Sequence, residues 1–285
     1  MTRTGRVVGA PRVRGIRAGR DLPAAIVVGV ALALIIIVPL FTVRPLWIAV
    51  ICVAMAVGTY ELVRALRLVG GRIALPPLAA GTAAMPAVAY AAGTSGLVVT
   101  LAATVVMVTA WRLAYRDGHL LHDVAAGAFC AAYVGLPAGF AALLTSPPDG
   151  PRRMVACLAT AVASDIGGYT AGVLSGGRHK LAPNVSPGKS WEGFAGSAVT
   201  CVIVAGVSMA WTLHAAVWQG VVLGLAVACT ATIGDLGESL LKRDIGIKDM
   251  GTLLPGHGGI MDRLDSVLCT APVAWLLITA FVPPS

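Results

Sequence analysis

The sequence predicts an all-α, polytopic membrane protein with about nine transmembrane helices and a cytoplasmic N-terminus. Three observations carry that expectation. Of 285 residues, 57% are hydrophobic and only 12% charged, where a soluble domain carries about 25% charged residues, and the mean hydropathy is +0.85. A membrane-crossing helix needs about 20 mainly apolar residues, and nine such runs occur, at 24–42, 46–63, 73–92, 96–115, 121–144, 154–174, 193–213, 216–236 and 264–283. With the N-terminus inside, 18 of the 21 Lys and Arg fall on the cytoplasmic side and only Arg44, Arg152 and Arg153 lie outside, in keeping with the positive-inside bias.

The chain opens on a basic arm, residues 1–22, in which Arg3, Arg6, Arg12, Arg14, Arg17 and Arg20 precede the first apolar run. Such an arm anchors topology through the anionic lipids of the inner leaflet. The run Ala24–Phe41 exceeds the roughly 7 to 15 apolar residues of a cleaved signal and another run follows at once, so it counts as the first span. Residues 23–285 then form one integral membrane domain. Its third and fifth runs are rich in Gly, Pro and Ala, which softens their ends.

The first half of that domain is chemically plain. Its cytoplasmic turns carry Glu61, Arg64, Arg67 and Arg72, then Arg112, Arg116, Asp117, His119, His122 and Asp123. Glu61 and Arg64, three apart on a helix, are expected to pair at the interface, and His119, His122 and Asp123 to form a solvated cluster. Six cysteines lie inside apolar runs without metal or redox spacing and read as small packing residues. The net charge of +8 sits in cytoplasmic loops with no soluble basic domain, which argues against nucleic acid and for anionic lipids and small anions as partners.

After residue 160 ionisable residues enter the spans themselves, where an unpaired charge costs roughly 2.5 to 3.5 kcal/mol at mid-membrane and is a functional signal by default. Three constellations stand out. In ASDIGGYTAG, Asp165 sits in an apolar helix with Tyr169 and Gly172 on its face, and the glycines let a second helix come close. The loop GGRHKLAPNVSPGKSWEG, residues 176–193, offers Arg178, Lys180 and Lys189 with Ser186 and Ser190. It suits phosphate, although PGKS lacks the earlier glycine and the strand of a P-loop. The third runs from Asp235 to Asp265, between two apolar runs. Asp235, Glu238 and Lys242 share one helical face, and after PGHGG come Asp262 and Asp265, again three apart.

One acidic residue in a first turn would offset a helix dipole. Four Asp on helix ends of one leaflet, Asp165, Asp235, Asp262 and Asp265, point instead to a hard cation such as Mg²⁺. Beside them Lys242, Arg243, Lys248, His257 and Arg263 could clamp phosphate oxygens, with Gly258 and Gly259 able to turn backbone N–H groups toward an anion. Metals plus cations imply a polyphosphate, and two metals about 3.5 to 4 Å apart can serve an in-line phosphoryl displacement.

At these residues the chain resembles the phosphatidate cytidylyltransferases, the CDP-diacylglycerol synthases. SLLKRDIGIKDMGTLLPGHGGIMDRLD, Ser239 to Asp265, is similar to the family signature with its K-R, K-D, H-G-G and D-R-x-D pairs. Asp165–Tyr169 resembles the family's D-x-G-A-Y, with Gly168 for the usual Ala, and Ser186–Gly193 its S-P-x-K-[ST]-W-E-G, with Gly188 where many members carry a polar or basic residue.

The resemblance implies that the phosphate of phosphatidate attacks the α-phosphorus of CTP, giving CDP-diacylglycerol and pyrophosphate. It also implies Mg²⁺ dependence, a homodimer in the cytoplasmic membrane, and a site open to cytosol and bilayer. Asp235, Asp262 and Asp265, with Asp165 as a fourth, are then the metal ligands; the first three are catalytic together with Lys242, which binds the triphosphate or the lipid phosphate. Arg243, Lys248, His257 and Arg263 bind the triphosphate or the lipid phosphate, while Ser186, Lys189 and Glu192 close the nucleotide side. Two rivals share parts of this pattern, a CTP-dependent polyprenol or phytol kinase and an ion-coupled transporter. The first needs a base for an alcohol, and the second places its site near mid-membrane. The motif of the CDP-alcohol phosphatidyltransferases is absent.

Overall fold

The computed structural model describes residues 22–114, 119–253 and 258–283. The basic arm up to residue 21, Arg116, Asp117 and His257 lie outside them. The chain is built from α1 (Leu22–Thr42), α2 (Arg44–Leu68), α3 (Leu75–Leu113), α4 (Leu120–Cys130), a π turn (Ala131–Gly135), α5 (Leu136–Thr145), α6 (Gly150–Leu174), strands β1 (Lys180–Ala182) and β2 (Ser186–Ser190), α7 (Trp191–Thr212), α8 (Val217–Ile245) and α9 (Met261–Phe281). Among the described residues seven helical segments are long and apolar enough to cross a membrane, and Gly29–Thr42 of α1 is a shorter apolar helix.

The third and fourth apolar runs are two arms of one broken helix. The break in α3 falls at Gly93 (φ 70, ψ −159), a conformation open essentially to glycine alone. The fifth run is continuous from α4 to α5 but passes through the π turn just before Pro137. Proline has no N–H to return to the carbonyl four residues back, and the widened turn absorbs that missing bond.

Where the sequence suggested a plain polar loop after α6, the chain forms an antiparallel hairpin with Lys180 opposite Ser190 and Ala182 opposite Ser186. Its exit is fixed by Ser190, whose Oγ accepts the Gly193 N–H at 3.1 Å and caps α7.

Helices α6 and α7 pack with their backbones nearly touching. A Cβ on Gly167 would lie 2.0 Å from Thr200 Oγ1, and one on Gly196 would lie 2.2 Å from the Ala171 Cβ, so only small residues fit. Across the same seam the Ser164 and Ser197 hydroxyls meet at 2.6 Å and Thr200 Oγ1 donates to the Ala163 carbonyl at 2.8 Å. These bonds satisfy polar groups that lipid cannot. The outward faces of α6 and α7 carry Ile166, Val173, Leu174, Ile203 and Trp211, all exposed, as suits a surface solvated by acyl chains.

Two expectations about the first half need correction. Glu61 does not pair with Arg64: it is buried, its carboxylate accepts the Met261 N–H at 3.0 Å, and Arg64 is exposed. Asp123 is no solvated group either. It is 1% exposed and forms a 2.7 Å ion pair with Arg112, while accepting the Arg72 N–H at 2.9 Å. Burial of both carboxylates follows from their having partners on neighbouring segments, since an unpaired buried charge would be driven out. At the opposite end of the bundle the turn between α5 and α6 engages Arg44, which donates to the Pro147 and Pro148 carbonyls, and Arg153, which pairs with Asp149 at 2.8 Å. The cysteines are all free, with Cys130, Cys157 and Cys201 buried in the packing.

Candidate active site

A cavity of about 590 Å³ opens where the ends of α6, α8 and α9 meet the hairpin and the first turn of α7. That volume is in the range of pockets that bury a small-molecule ligand. Each of the three constellations contributes a wall. Helix α6 supplies Asp165 and Tyr169, strand β2 supplies Ser186 and Lys189, α8 supplies Asp235, and the start of α9 supplies Asp262, Arg263 and Asp265. Asp165 stands nine residues before the end of α6, about 13 Å down the helix at 1.5 Å per residue. The cavity therefore reaches from the end of the bundle well into the depth of the spans.

The local reasons for this arrangement are visible in each element. On α8 the spacing three and four apart stacks Asp235, Glu238, Ser239 and Lys242 along one side. Ser239 Oγ contacts Asp235 Oδ1 at 3.4 Å, and Lys189 from the hairpin forms an ion pair with the other Asp235 oxygen. Glu238, fully buried, accepts from Lys242 Nζ at 2.9 Å, and the same ammonium reaches Asp262 on α9 at 2.9 Å.

Asp262 organises the segment before α9. It accepts the N–H groups of Met250 at 3.1 and 3.0 Å, Gly251 at 3.4 Å and Gly259 at 2.8 Å. Gly258, at φ +81, makes the turn that aims the Gly259 N–H inward. Asp265, one turn deeper, accepts the Ser266 N–H at 2.6 Å and contacts the Ser266 hydroxyl. Asp165 lines the same cavity as Asp235 and Asp265, with Lys189 and Arg263 also in its wall.

The predicted residues thus divide. Asp165, Ser186, Lys189, Asp235, Asp262, Arg263 and Asp265 line one cavity. Lys242 does not line it, because its ammonium is held between Glu238 and Asp262 and ties α8 to α9. Glu192 turns away to the hairpin, where it accepts from the His179 N–H at 3.2 Å and meets Nδ1 at 2.7 Å. Arg243 and Lys248 are exposed outside the cavity lining. Lys180, left out of the motif-based assignment, lines the cavity beside Lys189. It stands opposite Ser190 in the hairpin, a pairing that a single loop motif does not give.

A wall of carboxylates facing lysines and an arginine can hold a phosphate chain and its counter-cations at once. Among the described residues no three His, Cys, Asp or Glu side chains converge closely enough to hold a metal unaided. Mg²⁺ ordinarily takes one or two carboxylates and completes its shell with substrate phosphate and water, and the all-oxygen donor set of Asp165, Asp235 and Asp265 fits that use.

Fold and site together define a polytopic helical membrane protein with a mixed-charge cavity cut into one end of its bundle. The chain belongs to the cytidylyltransferase family, whose model matches residues 23–281. It is similar to the phosphatidate cytidylyltransferase of Mycobacterium bovis, 41% identical over 282 residues that cover 94% of this chain and 92% of the relative. The phosphatidate cytidylyltransferase of Mycobacterium leprae is 42% identical over 279 residues, 92% of this chain and 89% of the relative. A shorter match, 41% over 115 residues, joins 39% of the chain to 40% of the phosphatidate cytidylyltransferase of Haemophilus influenzae.

Proposed function

We propose that the protein transfers the cytidylyl group of CTP to phosphatidate, releasing pyrophosphate and forming CDP-diacylglycerol. One observation carries the reading: in a chain similar over nearly its whole length to phosphatidate cytidylyltransferases, the three polar constellations of the second half meet in a single cavity. A phosphate oxygen of the lipid forms the new bond to the α-phosphorus, and the bond from that phosphorus to the bridging oxygen of the β-phosphate breaks. The nucleophile is already an anion, so no protein base is needed to strip a proton from it. What the site must do is position two polyanions and offset their repulsion.

Lys189, Lys180 and Arg263 take the phosphate oxygens, and Ser186 donates to them. Asp165, Asp235 and Asp265 would hold Mg²⁺, which would supply charge neutralisation to the phosphates. Asp262 acts on the backbone: tied to α8 by Lys242, it holds the N–H groups of Met250, Gly251 and Gly259 against α9. The depth of Asp165 and the exposed flank of Ile166, Tyr169 and Val173 suit a headgroup entering from the bilayer. The basic bias of the loops supports a site facing the cytoplasm of the cytoplasmic membrane, where CTP is found, and anionic lipid as a partner; the resemblance of the motifs supports a homodimer.

Pyrophosphate release from purified protein tests this. It should require phosphatidate, CTP and Mg²⁺ together. Release of CDP with an alcohol acceptor would mean a kinase, and absence of any CTP turnover would return the transporter reading.

A further inference from the structure

A buried carboxylate that the functional reading leaves unused is Glu61, on α2, in the half of the chain without a motif. It is 5% exposed. Its Oε2 accepts the Met261 N–H at 3.0 Å, and its Oε1 is buried without a hydrogen-bond partner. A Cβ built on Gly251 would fall 2.2 Å from Oε1, and one built on Gly259 would fall 2.6 Å from Oε2. The carboxylate is therefore wedged against both ends of the segment that Asp262 grips from the other side through Met250, Gly251 and Gly259.

Met261 is the first residue of α9, and its N–H is one of the four at a helix start that find no partner within the helix. Ile260, the residue before it, provides no side-chain cap. Glu61 supplies that acceptor from another helix and puts a negative charge at the positive end of the α9 dipole. Burying a carboxylate for a single hydrogen bond is unfavourable as a way of gaining stability. The return is positional: the first two turns of α9 carry Asp262, Arg263 and Asp265, all of which line the cavity.

We infer that Glu61 is a positioning residue for the cytidylyl-transfer site, setting the start of α9 and the Gly251 and Gly259 backbone from a helix that contributes no residue to the cavity lining. The inference rests on the functional reading above only for its effect on rate; the geometric part stands alone. It also explains why two glycines, rather than any small residue, flank the segment, because alanine at either would collide with the carboxylate.

The test combines E61Q, E61D and E61A with hydrogen–deuterium exchange of detergent-solubilised protein over peptides holding Met250, Gly251, Gly259 and Met261, beside kcat and KM for CTP on the monodisperse fraction. Gln keeps an acceptor at the same reach, whereas Asp is one methylene short. Exchange at these amides should match wild type in E61Q and accelerate about tenfold or more in E61D and E61A, with kcat down about tenfold or more and KM for CTP moved less. A role in general stability alone would lower the yield of folded protein and leave kcat per folded molecule intact. Wild-type exchange in E61A, or exchange in E61Q as fast as in E61A, would overturn the inference. A wild-type protein without cytidylyl transfer would strike the functional reading instead, and the exchange data would still decide the role of Glu61.

Discussion

Lys189 on strand β2 and Asp235 on α8 form an ion pair across the cavity, joining the hairpin to the helix bundle. Both side chains are only partly exposed, 26% and 31%, so each is available to a ligand while pre-aligned by the other. A nucleotide entering with Mg²⁺ can exchange this pair for phosphate on lysine and metal on aspartate. That exchange keeps both charges compensated throughout, which is how a site of mixed sign avoids holding naked charge when empty.

It follows that K189M and D235N should each lower kcat/KM for CTP by about 10- to 100-fold, yet combine with less than additive effect. The coupling expected between partners in contact is about 0.5 to 3 kcal/mol. A double-mutant cycle on steady-state rates measures it, and strict additivity would show that the pair has no shared role.

Lys242 is expected to matter first for stability. In K242M the buried Glu238 loses its ammonium partner on the same helix and Asp262 loses its link to α8, and breaking a buried pair by removing one member costs about 3 to 5 kcal/mol. Thermal unfolding in detergent should show a clear fall in midpoint, partly restored in K242R. A K242M protein of unchanged midpoint that has lost only CTP affinity would put the ammonium on the substrate after all.

Mg²⁺ dependence should be complete and should shift with the carboxylates. Chelation is expected to abolish turnover, and D165N and D265N to raise the Mg²⁺ concentration for half-maximal rate about tenfold or more, as removal of an anionic ligand weakens a hard-cation site. Titrations of rate against Mg²⁺ at fixed CTP decide this. Unchanged midpoints in both variants would remove them from the metal.

The seam between α6 and α7 gives a purely structural prediction. G167A places a methyl against Thr200 and the Gly196 carbonyl, an overpacking that costs about 1 to 3 kcal/mol. Its thermal midpoint should fall, and T200A should recover part of the loss by vacating the nearer contact. No recovery would mean that the backbone approach, rather than the side chain, sets the spacing.

Much of this was legible in the sequence because bilayer physics writes itself into composition. Apolar runs, the basic bias of the turns and the i, i+3 pairs Asp235/Glu238 and Asp262/Asp265 are local signals, and the side chains of Asp165, Ser186, Lys189 and Arg263 reached the cavity the motifs pointed to. What was hidden depends on contacts between distant segments. No spacing reveals that Glu61 meets Met261 two hundred residues later, or that Lys242 faces Asp262 rather than a ligand. Glu192 reads as a site residue within its motif, yet it is a hairpin clasp, because His179 lies beside it only after the chain has turned. The register that sets Lys180 opposite Ser190 at the cavity likewise exists only once the strands pair.

The most direct measurement is transfer of label from CTP carrying phosphorus-32 at either the α- or the γ-position, with phosphatidate and Mg²⁺, followed by organic extraction. The account predicts label in the lipid from the α-position alone, with γ-label remaining in aqueous pyrophosphate. Lipid labelled from the γ-position would contradict it.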